Sequence, residues 1–193
     1  MPAIKKMADY VNSTKQLNPA ENKELVDKTE QQFLDTITKQ AEARGEIKNE
    51  RKAFIITGLP GAGKTSNGLG DKLNNGYLEF DNDIAKGVPA LSEYFAGGKG
   101  ANTVQEVSSA AQTQALQKIM KNGTNIAWPA VGKNKAKLEK QIRMLHNAGY
   151  EVEIACVDAS LNTALARTTT RFLETGRFVG PDYVKSCTTD GNS

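Results

Sequence analysis

The sequence predicts a three-layer α/β/α domain with a mostly parallel sheet, preceded by an N-terminal helix, and three observations predict it. Short apolar runs that suit buried strands alternate along the chain with amphipathic stretches of helical period. The connections between successive runs are long enough for the crossovers that parallel pairing requires. The first run, Phe54-Ile55-Ile56-Thr57, feeds directly into Gly58-Leu59-Pro60-Gly61-Ala62-Gly63-Lys64-Thr65, which satisfies GxxxxGK(S/T) in full in a strand-loop-helix setting.

Residues 1–18 mix Lys, Asn, Ser and Thr with few apolar anchors and end at Asn18-Pro19, a helix start. From Pro19 to about Lys48 the chain is rich in Glu, Lys and Gln, with Leu25, Phe33, Ile37 and Ala41 at helical spacing. This is an amphipathic helix expected to pack on the α/β domain. Arg44-Gly45 and a charged link over residues 48–52 then divide the chain into a helical segment, 1–50, and a nucleotide domain, 51–193. Residues 53–57 form the first strand, and a helix is expected from Lys64 to about Leu73, closed by Asn74-Asn75-Gly76. Tyr77-Leu78-Glu79-Phe80 reads as a second strand that delivers Asp81-Asn82-Asp83 at its carboxyl end, where ligands bind in open α/β sheets.

Residues 87–103 hold Gly97-Gly98-Lys99-Gly100 and read as a loop around a short helical piece at 90–95. A long helix comes next, with Val107, Ala111, Ala115, Leu116, Ile119 and Met120 on its apolar face and Asn122-Gly123 as its stop. Asn125-Ile126-Ala127-Trp128 is a weaker third strand, a helix carries Leu138, Ile142 and Leu145, and residues 152–157 make a fourth strand. Ser160 caps a last helix with Leu161, Leu165, Thr168 and Phe172 facing the core.

The 193 residues suffice for one domain with a sizeable core and fall short of two ordinary ones. A net charge of +3, with 24% charged residues spread along the chain, gives no reason to expect a nucleic-acid or membrane partner. Cys156 and Cys187 have no metal-ligand spacing and read as free thiols in a reducing compartment. Lys5 and Lys6 have no apolar run behind them, and no stretch approaches the ~20 apolar residues of a membrane span. The expected location is the cytoplasm.

The loop carries the chemistry. Its backbone N–H groups, freed by Gly58, Gly61 and Gly63, suit the β-phosphate of a nucleotide; Lys64 would reach the β- and γ-phosphates, the Thr65 hydroxyl would ligate Mg²⁺, and Ser66 joins them at the start of the helix, whose dipole favours an anion. The expected ligand is ATP or GTP. Asp81 and Asp83 lie 17 and 19 residues beyond Lys64, where an Asp at the strand end could accept a hydroxyl proton; a surface Asx turn fits their spacing equally well. Arg167 and Arg171 lie four apart on one helical face, and Arg177 follows Gly176. Three guanidiniums so close suit a lid over triphosphate, and an exposed helix face would look the same. His146, near a helix C-terminus, reads as a surface or capping residue, and Trp128 as packing ahead of a role lining a pocket for a sugar or base.

Together, residues 58–65, the Asp81-Asn82-Asp83-Ile84-Ala85-Lys86 element at a strand end, Arg167-(x)3-Arg171-Phe172 and Gly176-Arg177-Phe178-Val179 resemble the zeta toxin family over roughly residues 25–185. The resemblance implies a kinase that transfers the γ-phosphoryl of ATP or GTP to the 3′-hydroxyl of a UDP-N-acetylhexosamine, chiefly UDP-N-acetylglucosamine, and so poisons peptidoglycan precursor synthesis. It implies Asp83 as proton acceptor, Asp81 on the metal or its waters, Lys64, Arg171 and Arg177 on the phosphates, and Arg167 as an accessory. Family members are commonly held inactive by a small helical antitoxin.

The chain departs from the family pattern at two places. Where the family offers a Glu and then Gly-Thr after the third strand, it reads Trp128-Pro129-Ala130-Val131-Gly132, and a family carboxylate on the preceding helix falls at Gln114. The family also continues past the position of Ser193, and its sheets usually have five strands where four are read here, so the chain is either a compact member or part of a longer protein. Two other readings stand beside the first: a catalytically degenerate nucleotide-binding module of a larger protein, and a kinase for a different nucleotide or for nucleic-acid ends.

Overall fold

In the computed structural model, residues 22–95, 104–175 and 179–189 are described. The first helix among the described residues, α1 (Asn22–Glu42), buries Phe33, Ile37 and Ala41 along one stripe, at about 1.5–3 kcal/mol for each large side chain. It ends at Glu42, earlier than its composition suggests, because Gly45, at φ 145°, closes the last turn onto the Ala41 and Glu42 carbonyls. The next residues join the lower edge of the sheet, with Lys48 bonded to Gly76 and Asn125.

Four strands make up the sheet: β1 (Lys52–Thr57), β2 (Leu78–Glu79), β3 (Ile126–Ala130) and β4 (Glu151–Cys156). They pair in parallel in the order β2-β3-β1-β4, as strand-helix alternation predicts. Alternate residues of β1 serve opposite faces. Ala53 and Ile55 join Phe33, Ile37, Phe80 and Trp128 in the larger core, whereas Phe54 and Ile56 join Leu69, Leu73 and Tyr77 in the smaller one. Trp128 is core, as expected, stacked edge-on at 4.8 Å to Phe80, which meets Phe33 at 5.5 Å. The stripe of α1 and the sheet therefore share one core. β4 is the thinly covered edge, with Ile154 51% exposed.

The helix expected from Lys64 is broken. Residues Lys64–Ser66 form a single 3₁₀ turn, and α2 (Leu69–Asn74) starts only after Gly68, at φ 96°. Asn67 turns its side-chain amide onto the Gly63 carbonyl at 2.7 Å, and Asn and Gly both disfavour helix continuation. The dipole of a long helix is accordingly absent at the loop, and what remains is the amides of one turn. After β2 the chain forms a short helix, α3 (Asn82–Lys86), then a 3₁₀ turn at Pro89–Leu91 and α4 (Ser92–Phe95). Residues 97–100 and Arg177 lie outside the described residues.

Helix α5 (Gln105–Asn122) buries Val107, Ala111, Ala115, Leu116 and Ile119 and stops at Gly123, as its pattern predicts. β3 runs through Pro129, beyond its expected end. Asn125 and Ala127 turn their carbonyls to β2, so the Pro129 nitrogen faces that same side past the end of β2, where no ladder bond is lost. Helix α6 (Lys135–Asn147) leads to β4, α7 (Leu161–Thr175) comes after it, and α8 (Pro181–Thr189), unforeseen, begins with Pro and Asp in its first turn. No helix among the described residues is long and apolar enough to cross a membrane.

The lower edge is tied by two side chains. Arg51 donates to the Met120 and Ala148 carbonyls, at 3.0 Å each, where α5 and α6 end. Fully buried Asn125 accepts from the Glu50 and Lys52 amides and donates to the Glu50 carboxylate at 3.0 Å, which holds that carboxyl below its ordinary value. Asn125→Ala strands two backbone donors and is expected to cost about 2 kcal/mol. A lower denaturation midpoint at unchanged slope is the expected result.

Candidate functional site

The phosphate loop, Asp81, Asp83 and Arg167 come to the carboxyl end of the sheet. From β1 the loop of residues 58–65 turns back through three glycines of positive φ: Gly58 (151°), Gly61 (81°) and Gly63 (94°). At Gly58 a Cβ would sit 2.6 Å from the Val157 carbonyl oxygen, and at Gly61 2.7 Å from that of Ala164. No larger residue fits either position without moving backbone. The loop is thus pressed between the chain leaving β4 and the first half of α7, whose start is capped by Ser160 accepting from the Thr163 amide at 3.1 Å.

Within the loop, the Lys64 ammonium donates to the Gly58 and Leu59 carbonyls at 2.8 and 3.1 Å. It thereby ties the start of the loop to its end. Thr65 and Ser66 are exposed beside it. From α7, the Arg167 Nη1 reaches the Gly61 and Ala62 carbonyls at 3.4 and 3.1 Å. Ala164 and Thr168 carry the buried face of α7, with Leu161, Leu165 and Phe172 only half-buried. Arg171 is half-buried one turn beyond Arg167.

Asp81 and Asp83 leave β2, and β2 is not the neighbour of β1. β3 lies between them, so the two carboxylates stand two strand spacings from the loop, about 10 Å. Asp81 caps α3, accepting from the Asp83 amide at 2.9 Å, which gives the Asx geometry a defined structural role. The end of β3 forms a ledge between the two. Its next residues pack down: a Cβ on Gly132 would lie 3.2 Å from the Thr57 Cβ, and Lys133 donates to the Ser186 hydroxyl at 2.9 Å with its ammonium 5.9 Å above the Tyr183 ring. Helix α8 thereby sits against the ledge, a contact with no sequence signal beyond the helix start at Pro181.

Of the other expectations, His146 is exposed near the end of α6, and both cysteines are free. Gln114 is exposed in a groove between α1 and α5 with Asp27, Glu30 and Gln31. Gln112, two positions earlier, has a buried amide nitrogen, and Asn82 a buried oxygen, without hydrogen-bond partners among the described residues.

Two ionisable groups are perturbed here. Burial, and then the charge of Asp81, push the Glu79 carboxyl up, partly offset by Arg44. Lys86, 9% exposed, is pulled down by burial, with Asp81 opposing the shift. Sequence reasoning had no means of finding the burial of Lys86, which depends on how α3 packs.

A family model for zeta toxins matches residues 35–193. The chain belongs to the zeta toxin family. Among solved structures, this zeta toxin family member is similar to one from the PezAT chromosomal toxin-antitoxin system of Streptococcus pneumoniae, at 20% identity and TM-score 0.61, over 78% of this chain and 66% of that one. It is similar also to the AvrRxo1-ORF1:-ORF2 complex with ATP (20% identity, TM-score 0.54, 83% of this chain and 50% of that). The AvrRxo1-ORF1:AvrRxo1-ORF2 complex with sulphate ions gives 20% identity, TM-score 0.58, and 88% and 54% coverage. At such identities these likenesses show the fold. The chain spans 66% of the length of the first and about half of the others. No curated protein matches it by sequence.

Burying a charged lysine costs stability that an apolar side chain of similar length would not. Lys86→Met is therefore expected to raise Tm at neutral pH. With a lowered folded-state value, Lys86 loses its proton earlier in the native than in the unfolded chain, so its cost fades as pH rises toward 10.5. The gain from methionine should shrink over that range, which thermal melts at a series of pH values will read.

Proposed function

We propose that this zeta toxin family member is an ATP- or GTP-dependent kinase that phosphorylates a hydroxyl of a sugar nucleotide, with UDP-N-acetylglucosamine the first candidate, and that it acts as a toxin. One observation carries the reading: the phosphate loop and Asp83 leave the same end of the sheet, with β3 between the strands that deliver them. The kinship with zeta toxins and the likeness to a toxin-antitoxin protein and to a complex solved with ATP support it. By the same kinship a small helical antitoxin is the expected partner, and the cytoplasm the expected location.

In this mechanism the amides of the loop, with Lys64, hold the β- and γ-phosphates. Asp83 accepts the proton of the acceptor hydroxyl as its oxygen attacks the γ-phosphorus; the bond from that phosphorus to the β–γ bridging oxygen breaks, and the nucleoside diphosphate leaves. Arg171, with Arg177 from the segment beyond α7, neutralises charge that builds on the transferring group. No cluster of three or more His, Cys, Asp or Glu occurs among the described residues, so they offer no all-protein metal cage. Mg²⁺ takes most of its ligands from phosphates and water; the exposed Thr65 hydroxyl would be the protein ligand, and half-buried Asp81, across β3 from the loop, would act on the metal only through its waters. When bound, Mg²⁺ would supply charge neutralisation on the phosphate oxygens.

A second reading, a nucleotide-binding module without transfer, is favoured by one feature: residues 128–132 bring no carboxylate to the ledge, and Trp128 is spent on the core.

Incubation of the protein with Mg-ATP and UDP-N-acetylglucosamine, followed by mass spectrometry, separates the two. A phosphorylated sugar nucleotide is expected, abolished in Lys64→Ala and reduced roughly 10²- to 10⁴-fold in Asp83→Asn. Binding of ATP with no product across a set of sugar nucleotides would overturn the kinase reading and leave the binding module. Arg171→Lys is expected to stay inactive, since an ammonium does not reproduce the planar fork; an active Lys variant would assign Arg171 a structural role.

A further inference from the structure

Arg167 is turned toward the loop itself. Its Nη1 donates to two successive loop carbonyls, Gly61 at 3.4 Å and Ala62 at 3.1 Å, and a Cβ on Gly63 would come within 3.3 Å of that same nitrogen. Around this contact α7 lies close against the loop, so that a Cβ on Gly61 would fall 3.2 Å from the Thr168 Cγ2. No peptide bond among the described residues is cis. In a trans peptide the C=O and the following N–H point to opposite sides. Ala62 C=O and Gly63 N–H belong to one such plane, so tying the oxygen to α7 turns the Gly63 N–H away from α7, into the concave side of the loop. The preceding peptide is fixed as well, because the Ala62 amide donates to the Leu59 carbonyl at 3.0 Å.

We infer that Arg167 is a positioning residue of the phosphate loop: it holds the peptide between Ala62 and Gly63 so that the Gly63 N–H faces a bound phosphate, and it acts on a nucleoside di- or triphosphate through the loop. The inference rests on the nucleotide-site reading above and deepens it. A guanidinium suits the task, since it is permanently charged and one of its nitrogens can donate to two neighbouring carbonyls. Glycine at 63 leaves its peptide free to rotate, so a fixed orientation there needs an external hold. An arginine bound directly to the γ-phosphate would discriminate triphosphate from diphosphate, whereas one acting through the loop amides affects both alike.

Two measurements on the full chain test this. In calorimetric titrations Arg167→Ala should weaken Mg-ADP and Mg-ATP to the same degree, roughly 10- to 100-fold, with Arg167→Lys recovering part of the loss. In nucleotide-free protein the Gly63 amide resonance and its exchange rate should change in Arg167→Ala and move back toward wild type in Arg167→Lys; Arg167→Gln serves if the alanine variant does not fold. A loss confined to Mg-ATP would assign Arg167 to the γ-phosphate and overturn the inference. So would an unchanged Gly63 amide. Wild-type protein that binds neither nucleotide would overturn the nucleotide-site reading instead, with the Gly63 amide still deciding the contact of Arg167.

Discussion

The close approach of the phosphate loop to α7 and to the chain leaving β4 is the constraint on which the rest of the structure depends. Gly58 and Gly61 lie so near the Val157 and Ala164 carbonyls that a single methyl group at either would collide with backbone. With β4 and α7 in place, the loop admits no side chain at either position. That placement in turn requires β4 to pair with β1 in register, Thr57 beside Cys156. Strand pairing at one level thus sets loop geometry at the next, and loop geometry sets which amides are available to an anion.

The strand order supplies the second element of the site. With β3 between β1 and β2, the loop and the carboxylates of α3 cannot touch, and the space between them is floored by the end of β3. A transferring group needs a donor on one side and a proton acceptor on the other, at a separation that admits a substrate. On the kinase reading, the spacing of the strands sets that separation. Helix α8 is held to the chain that follows β3 through Lys133.

Much of this was legible in the residues. The four strands, the parallel order of layers, the stripe of Phe33, Ile37 and Ala41, the inward Trp128 and the loop itself follow from periodicity and one motif. Local interruptions were harder. Asn67 and Gly68 break the helix after the loop because a side-chain amide finds the Gly63 carbonyl, a contact that exists only once the loop has folded. Pro129 stayed in a strand because the side it faces had already lost its neighbour. The helix spacing of Arg167 and Arg171 was readable, but whether a guanidinium meets phosphate or backbone is settled by how α7 leans on the loop. Lys86 and Asn125 tell the same story, since their burial depends on tertiary packing and leaves no periodic trace.

On the proposed function, the loop and α7 form one unit that receives a nucleotide's phosphates. Hydrogen–deuterium exchange of the full chain, with and without Mg-ADP, addresses it most directly. The account predicts slowed exchange on adding nucleotide in residues 58–66 and, together with them, in the first half of α7. Protection that appears elsewhere on the molecule, or in neither segment at saturating nucleotide, would contradict it.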